Sequence, residues 1–168
     1  MSRYRIGVLL YFRSTEGNLL LIKRSKAPNA GLWCAVGGKL EMESGESPFE
    51  CARREAREEI GVELGDSDLS LRCLLSEREY ENTGHWLMFV FEVKKRLRKT
   101  PKDIQEGMFG FFATEDLRDL PMPWLDKSIL TDKILSPEGA KFYSVHLKDG
   151  TRNDPDVVVV EERIGGQV

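Results

Sequence analysis

Histidine is almost absent from this 168-residue chain: His85 and His146 are the only two, and they lie far apart. That scarcity argues against a histidine-based triad or a multi-histidine metal site and leaves catalysis to carboxylates. Cysteine is equally scarce. Cys34, Cys51 and Cys73 are odd in number and form no CxxC pair, so neither zinc ligation nor a disulfide framework is expected. They read as reduced thiols in a cytoplasmic protein. No apolar run approaches the ~20 residues of a membrane-spanning helix. Residues 6–12, between Arg5 and Arg13 and followed by no small-residue cleavage site, read as a strand and not a signal peptide. Neither sign of charge dominates: 25 Lys and Arg stand against 28 Asp and Glu, a formal net charge of −3. Nucleic acid is therefore not an expected partner. Internal repeats, low-complexity stretches and Gly/Ser linkers are also missing, and the length fits a single domain over 1–168.

What is present alternates between short apolar runs and turn residues. Residues 6–12 and 19–23 flank Ser14-Thr15-Glu16-Gly17-Asn18, a hairpin signal. A second pair, 71–76 and 86–93, is joined through Glu81-Asn82-Thr83-Gly84, and residues 109–113 form a further strand candidate. Residues 142–147 and 157–160 suggest a last hairpin across Lys148-Asp149-Gly150 and Asn153-Asp154-Pro155. Ser47-Pro48-Phe49-Glu50 is a capping box with proline at the first helical position, and Gly61 is placed to close that helix after Ile60. A second helix is expected over 124–135, stopped before Ser136-Pro137, and a helical turn over 114–120 with Thr114 as its cap. Strands with one well-capped central helix and a late one predict an α+β fold, a mixed sheet between helices.

The chemistry is concentrated around the first helix. Glu55, Glu58 and Glu59 stand at i, i+3 and i+4 and share one helical face, while Phe49, Ala52, Ala56 and Ile60 form a neighbouring stripe toward the core. Like charges so placed repel, and anions in a last helical turn oppose the helix dipole. Glu- and Arg-rich helices are commonly solvated faces laced by ion pairs. The Gly37-Gly38 turn just before this helix favours another use: it allows close backbone approach, so that a carbonyl and the carboxylates can serve a hard divalent ion together. Arg54 and Arg57 can offset part of the charge.

Gly38, Glu46 and Arg54-Glu55-Ala56-Arg57-Glu58-Glu59-Ile60-Gly61-Val62 resemble the Nudix box, Gly-x5-Glu-x7-Arg-Glu-U-x-Glu-Glu-x-Gly-U, with U a bulky aliphatic residue. Ala56 is smaller than the pattern's first U. Seven residues instead of five separate Gly38 from Glu46, so Met42-Glu43-Ser44 reads as part of a loop lengthened by two that bulges outward. The resemblance implies a Nudix fold and a phosphoanhydride hydrolase that uses Mg²⁺ (or Mn²⁺) and a water nucleophile. Glu55, Glu58 and Glu59 become metal-binding and base candidates, the Gly38 carbonyl a further ligand, and Glu46 the residue that holds the loop against the helix.

Outside the box the chain is loosely similar to the MutT-like enzymes that hydrolyse oxidised purine nucleoside triphosphates. Gly31-Leu32-Trp33 leads into the Gly-Gly turn, and Gln105-Glu106-Gly107-Met108 precedes a Phe-rich strand where that branch places a further metal-binding or catalytic glutamate, here Glu106. Leu120-Pro121-Met122-Pro123-Trp124-Leu125-Asp126-Lys127 resembles the segment whose Trp and Asp sandwich and hydrogen-bond the base. Trp33 and Trp124 then stack on a purine or pack in the core, and Asp126 reads the base or opens a helix. Cys34 stands where some members carry a base-reading asparagine. Lys23 and Arg24, at the end of a strand, are phosphate candidates. The implied reaction takes a nucleoside triphosphate, 8-oxo-dGTP or a relative, to monophosphate and pyrophosphate. Dinucleoside polyphosphates, nucleotide sugars and ADP-ribose are the alternative substrates, and a non-catalytic nucleotide- or RNA-binding module the alternative class. Only the six cations of 94–102 favour that last reading. A monomer and a homodimer are both compatible with the sequence.

Overall fold

The computed structural model describes residues 4–134, 141–147 and 158–164. Nine strands form one mixed sheet: β1 (Tyr4–Ser14), β2 (Leu19–Arg24), β3 (Trp33–Cys34), β4 (Val36–Lys39), β5 (Leu69–Glu77), β6 (His85–Leu97), β7 (Gly107–Phe112), β8 (Lys141–Leu147) and β9 (Val158–Ile164). The order is β3-β2-β1-β6-β5-β8-β9, with β4 added to β1 and β7 to β2. The architecture is α+β, as expected. β1 runs parallel to β6 and antiparallel to β2 and β4, and β8 pairs antiparallel with β9. The turn sequences expected between β8 and β9 lie outside the described residues, as does the expected stop at Ser136-Pro137.

The apolar runs of β1 and β2 are continuous because both faces of the sheet are covered. Val8, Leu10, Phe12, Leu20 and Ile22 point to one face, where Cys51, Ala52 and Ala56 of the first helix pack on them. Tyr11, Leu19 and Leu21 point to the other, against Leu117, Leu125 and Leu130. Each face thus has its own core, and the residues between the two layers are held from both sides.

Helix α1 (Pro48–Glu55) begins as the capping box requires: the Glu50 N–H donates to Ser47 Oγ, and the Ser47 N–H donates to Glu50 Oε2 at 2.8 Å. Replacing Ser47 by alanine should cost about 1 kcal/mol, a fall in melting temperature of about 2–4 °C for a chain of this size. A thermal scan of the variant checks it. Past Glu55 the helix continues as a wider turn, Ala56–Ile60, and closes on Gly61, whose φ of 74° suits a residue without a Cβ.

Two short strands and one cap depart from the expectations. β3 and β4 were not anticipated. The turn Thr114–Arg118 is capped by Ala113, with no side-chain cap from Thr114. The second helix is present where expected and is also widened, over α2 (Asp126–Ile134). Among the described residues no helix is long and apolar enough to cross a membrane.

Candidate active site

The site grows from the way β4 meets α1. Gly38 lies so close to the helix that a Cβ there would overlap the Glu55 carboxylate; any side chain would expel Glu55 from its place. Glu55 is 8% exposed and takes a hydrogen bond from Arg54 Nη1 at 2.7 Å. Arg54 is the hub. Its Nε and Nη2 donate to the two oxygens of Glu46 at 2.8 and 3.0 Å, and Nη2 also reaches the Lys39 carbonyl at 3.0 Å. Glu46 in turn accepts the Glu41 N–H at 2.8 Å, which pins the base of the lengthened loop while Met42, Glu43 and Ser44 remain exposed.

The wide turn after Glu55 changes which glutamate joins it. A turn closed by i→i+5 bonds takes more residues per revolution than an α-helix, so Glu59 comes over Glu55 and Glu58 swings outward. Glu58 is accordingly exposed and meets Arg54 Nη1 at 3.2 Å. Glu59 faces Glu55 and Glu106. Burial first, then those two negative charges, push its carboxyl up to about 7, against Arg24 and the Gly37 N–H, which favour the charged form. Burial also raises Glu55, outweighing Arg54. Glu46, held by Arg54, lies below the usual carboxylate range.

Glu55, Glu59, Glu106, Gly38, Arg24, Cys34 and Asp126 line one cleft of about 620 Å³. Four other candidates lie outside it. Glu58 is on the rim. Lys23 emerges on the opposite face of β2 from Arg24, beside Trp33 and Met108. Trp33 packs edge-on against Phe112, with ring centroids 4.6 Å apart. Trp124 packs on the second core and borders a small recess that it shares with Glu77, Tyr80 and Asp126 of the cleft. Trp33 is thus engaged with Phe112, while Trp124 lies next to the acids at the end of the cleft. The cleft also contains residues that the sequence did not single out: Glu77 at the end of β5, Tyr80, Trp86 and Met88. Glu77 ends a strand that already carries Ser70, Arg72 and Ser76, so nothing in the sequence marked it out. His85 and His146 stand outside the cleft; His146 Nδ1 pairs with Ser76 Oγ at 2.7 Å.

Among the described residues no three carboxylate, thiol or imidazole groups are already drawn together tightly enough to hold an ion. The donor set fits one nonetheless. Glu55, Glu59, Glu106 and the Gly38 carbonyl are hard oxygen donors on one wall of the cleft, of the kind that Mg²⁺ and Mn²⁺ take. The mutual repulsion of Glu55, Glu59 and Glu106 is what a cation would relieve.

The same charges set a pH dependence. Glu59, Glu77 and Asp126 have folded values of about 7, 8 and 7, above the roughly 4 of unfolded carboxylates. Between those limits the native state holds more protons than the unfolded chain, so the stability they contribute is full below pH 4 and lost as pH rises toward 8. Urea unfolding in chelator should give a lower free energy at pH 8 than at pH 6. Added Mg²⁺ should restore the share owed to Glu59 and leave that of Glu77 and Asp126.

A NUDIX domain model matches residues 3–133. A Nudix hydrolase of Deinococcus radiodurans is 33% identical over 146 residues, 83% of this chain and 73% of that protein. A MutT NUDIX hydrolase from Burkholderia pseudomallei superposes with a TM-score of 0.63 at 27% identity, covering 80% of this chain and 99% of that one. A mutator MutT protein from Bacillus halodurans gives 0.68 at 23% identity, covering 94% and 97%. With the box on α1 and the fold in agreement, the chain belongs to the Nudix family of hydrolases, in its MutT-like form.

Proposed function

We propose that this protein is a divalent-metal-dependent pyrophosphohydrolase that cleaves a nucleoside triphosphate to monophosphate and pyrophosphate, with 8-oxo-dGTP and related oxidised purine nucleotides as the candidate substrates. One observation carries the reading: a single cleft runs from the Glu55–Glu59–Glu106 carboxylates, with Arg24 beside them, to an inner end walled by Tyr80, Trp86 and Asp126. Phosphates and a base would occupy those two ends at once.

Nudix hydrolases generally use divalent cations. Here Glu55, Glu59, Glu106 and the Gly38 carbonyl would hold Mg²⁺ or Mn²⁺, with Glu58 able to turn inward from the rim. When bound, the ion supplies charge neutralisation at the pyrophosphate oxygens and a more acidic water. The residues of the chain do the rest. Arg24 meets the phosphates, Arg54 fixes the direction of Glu55, and the Glu55–Glu59 pair accepts the proton that the attacking water loses as the phosphoanhydride P–O bond breaks.

A panel of 8-oxo-dGTP, the ordinary nucleoside triphosphates, dinucleoside polyphosphates, nucleotide sugars and ADP-ribose, each with Mg²⁺ or Mn²⁺ and with the products identified, tests this. Release of pyrophosphate and a nucleoside monophosphate from a triphosphate is expected. Turnover of the other classes alone, or of none, would refute it.

A further inference from the structure

The inner end of the cleft holds two acids that the hydrolytic chemistry does not use. Glu77 closes β5 and Asp126 opens α2; each is 8% exposed, and both line the cleft. No cation and no N–H donor among the described residues faces either one. Burial, and for Glu77 the neighbouring Asp126 charge, are the only influences on their protonation. Every other buried carboxylate of the site has a partner: Glu46 and Glu55 have Arg54, and Glu59 has Arg24 and the Gly37 N–H. A buried acid left without a donor destabilises a fold, so two of them facing one cavity point to a ligand that brings the donors.

The walls limit what that ligand is. Tyr80, Trp86 and Met88 line this end of the cleft; Arg5 and Lys39 lie over the Trp86 ring, 5.5 and 5.6 Å from its centroid, so Tyr80 and Met88 are the sides left for a planar ring. Ligand N–H donors would favour the ionised form of these raised carboxyls, and an ionised carboxylate only accepts hydrogen bonds. Among the nucleobases, guanine alone places a ring N–H beside an amino group. Adenine and cytosine set their amino group beside a ring acceptor, and uracil has a single ring N–H between two carbonyls.

We propose that Glu77, acting with Asp126, is the specificity-determining residue of this cleft and accepts the adjacent N–H donors of a guanine-type edge, an inference that rests on the nucleotide-hydrolase reading above. Oxidation at C8 leaves that edge unchanged, so the pair selects the guanine frame and is blind to damage at C8.

Guanosine and inosine monophosphates differ only in the amino group, and their binding without divalent ion is independent of the metal chemistry. Titrated into the full chain, GMP should bind about 10- to 100-fold more tightly than IMP, the ratio that a hydrogen bond to a charged group supplies. In Glu77→Gln the ratio should fall to within about twofold, since the new amide presents N–H groups to the donors of the base. The melting temperature at pH 8 should hold or rise in Glu77→Gln and in Glu77→Leu, because an unpaired buried charge has been removed. A residue with a merely structural role would lower it. Equal binding of GMP and IMP by the unaltered protein, a preference for AMP, an unchanged ratio in Glu77→Gln, or a drop in melting temperature would each overturn the proposal. If GMP is preferred but no triphosphate is cleaved, the hydrolase reading fails and the subsite stands. Cleavage of GTP and ITP at equal kcat/KM without a GMP preference does the reverse.

Discussion

Replacing Glu59 by glutamine should lower kcat by about 10²- to 10⁴-fold, the range that a positioned proton-transfer group supplies, while leaving the melting temperature unchanged or higher. The reason lies in the balance of charges at this side chain. Glu59 is pressed against Glu55 and Glu106, and burial and repulsion together lift it to about 7. In the folded apoprotein near neutral pH its charge is therefore a cost, which an amide of the same shape does not carry. What the amide cannot do is share the positive charge of a divalent ion or take a proton from water. Glu55→Gln should behave in the same way in turnover. Glu58→Gln reports whether the bound ion draws that exposed side chain inward: a loss within tenfold keeps it on the rim, and a loss as large as that of Glu59→Gln makes it a ligand. Steady-state rates with Mg²⁺, paired with thermal scans, decide the matter. An active Glu59→Gln protein would remove the carboxylate cluster from the reaction.

That contrast between loss of rate and gain of stability separates what could be read in the sequence from what could not. The first helix was legible from Ser47 to Gly61, because its cap, its proline and its closing glycine are local signals with fixed offsets. The β1–β2, β5–β6 and β8–β9 pairings were legible because apolar runs bounded by turn residues leave few other options. β3 and β4 were not. Strands of two and four residues, one of them holding Gly37 and Gly38, carry too few side chains for a pattern to show. The exposure of Glu58 was not legible: ideal α-helical periodicity puts it on the face of Glu55, and the wide turn from Ala56 onward moves it to the rim, where it still shares Arg54 Nη1 with Glu55. For Trp33 and Trp124 residue type alone left packing and stacking open; Trp33 meets Phe112 edge-on, and Trp124 lies beside Glu77, Tyr80 and Asp126. Glu77 was not legible because it meets Asp126 only by bordering the same recess, a juxtaposition of residues far apart in the chain.

Arg54→Ala should be the most destabilising single change at the site, by about 3–5 kcal/mol. That corresponds to a fall of roughly 6–20 °C in melting temperature at 2–4 °C per kcal/mol. Arg54 is 17% exposed in its side chain, and its partners Glu46 and Glu55 are 8% and 10% exposed. Its removal leaves two carboxylates below the surface with no cation between them and frees the Lys39 carbonyl that holds β4 to the helix. Lysine is not an adequate replacement. A point charge cannot match the two oxygens of Glu46 while also reaching Glu55, so Arg54→Lys should fall between the wild type and Arg54→Ala. The double variant Arg54→Met/Glu46→Leu distinguishes stability from positioning. Exchanging that buried pair for apolar side chains of similar size should recover much of the lost stability, whereas turnover should stay low because nothing then directs Glu55 along the Gly38 backbone. Chemical unfolding and kcat measured on the same four proteins give both readouts. Should the double variant regain its rate along with its stability, Arg54 would be a structural tie alone, and the direction of Glu55 would have to come from its packing against Gly38.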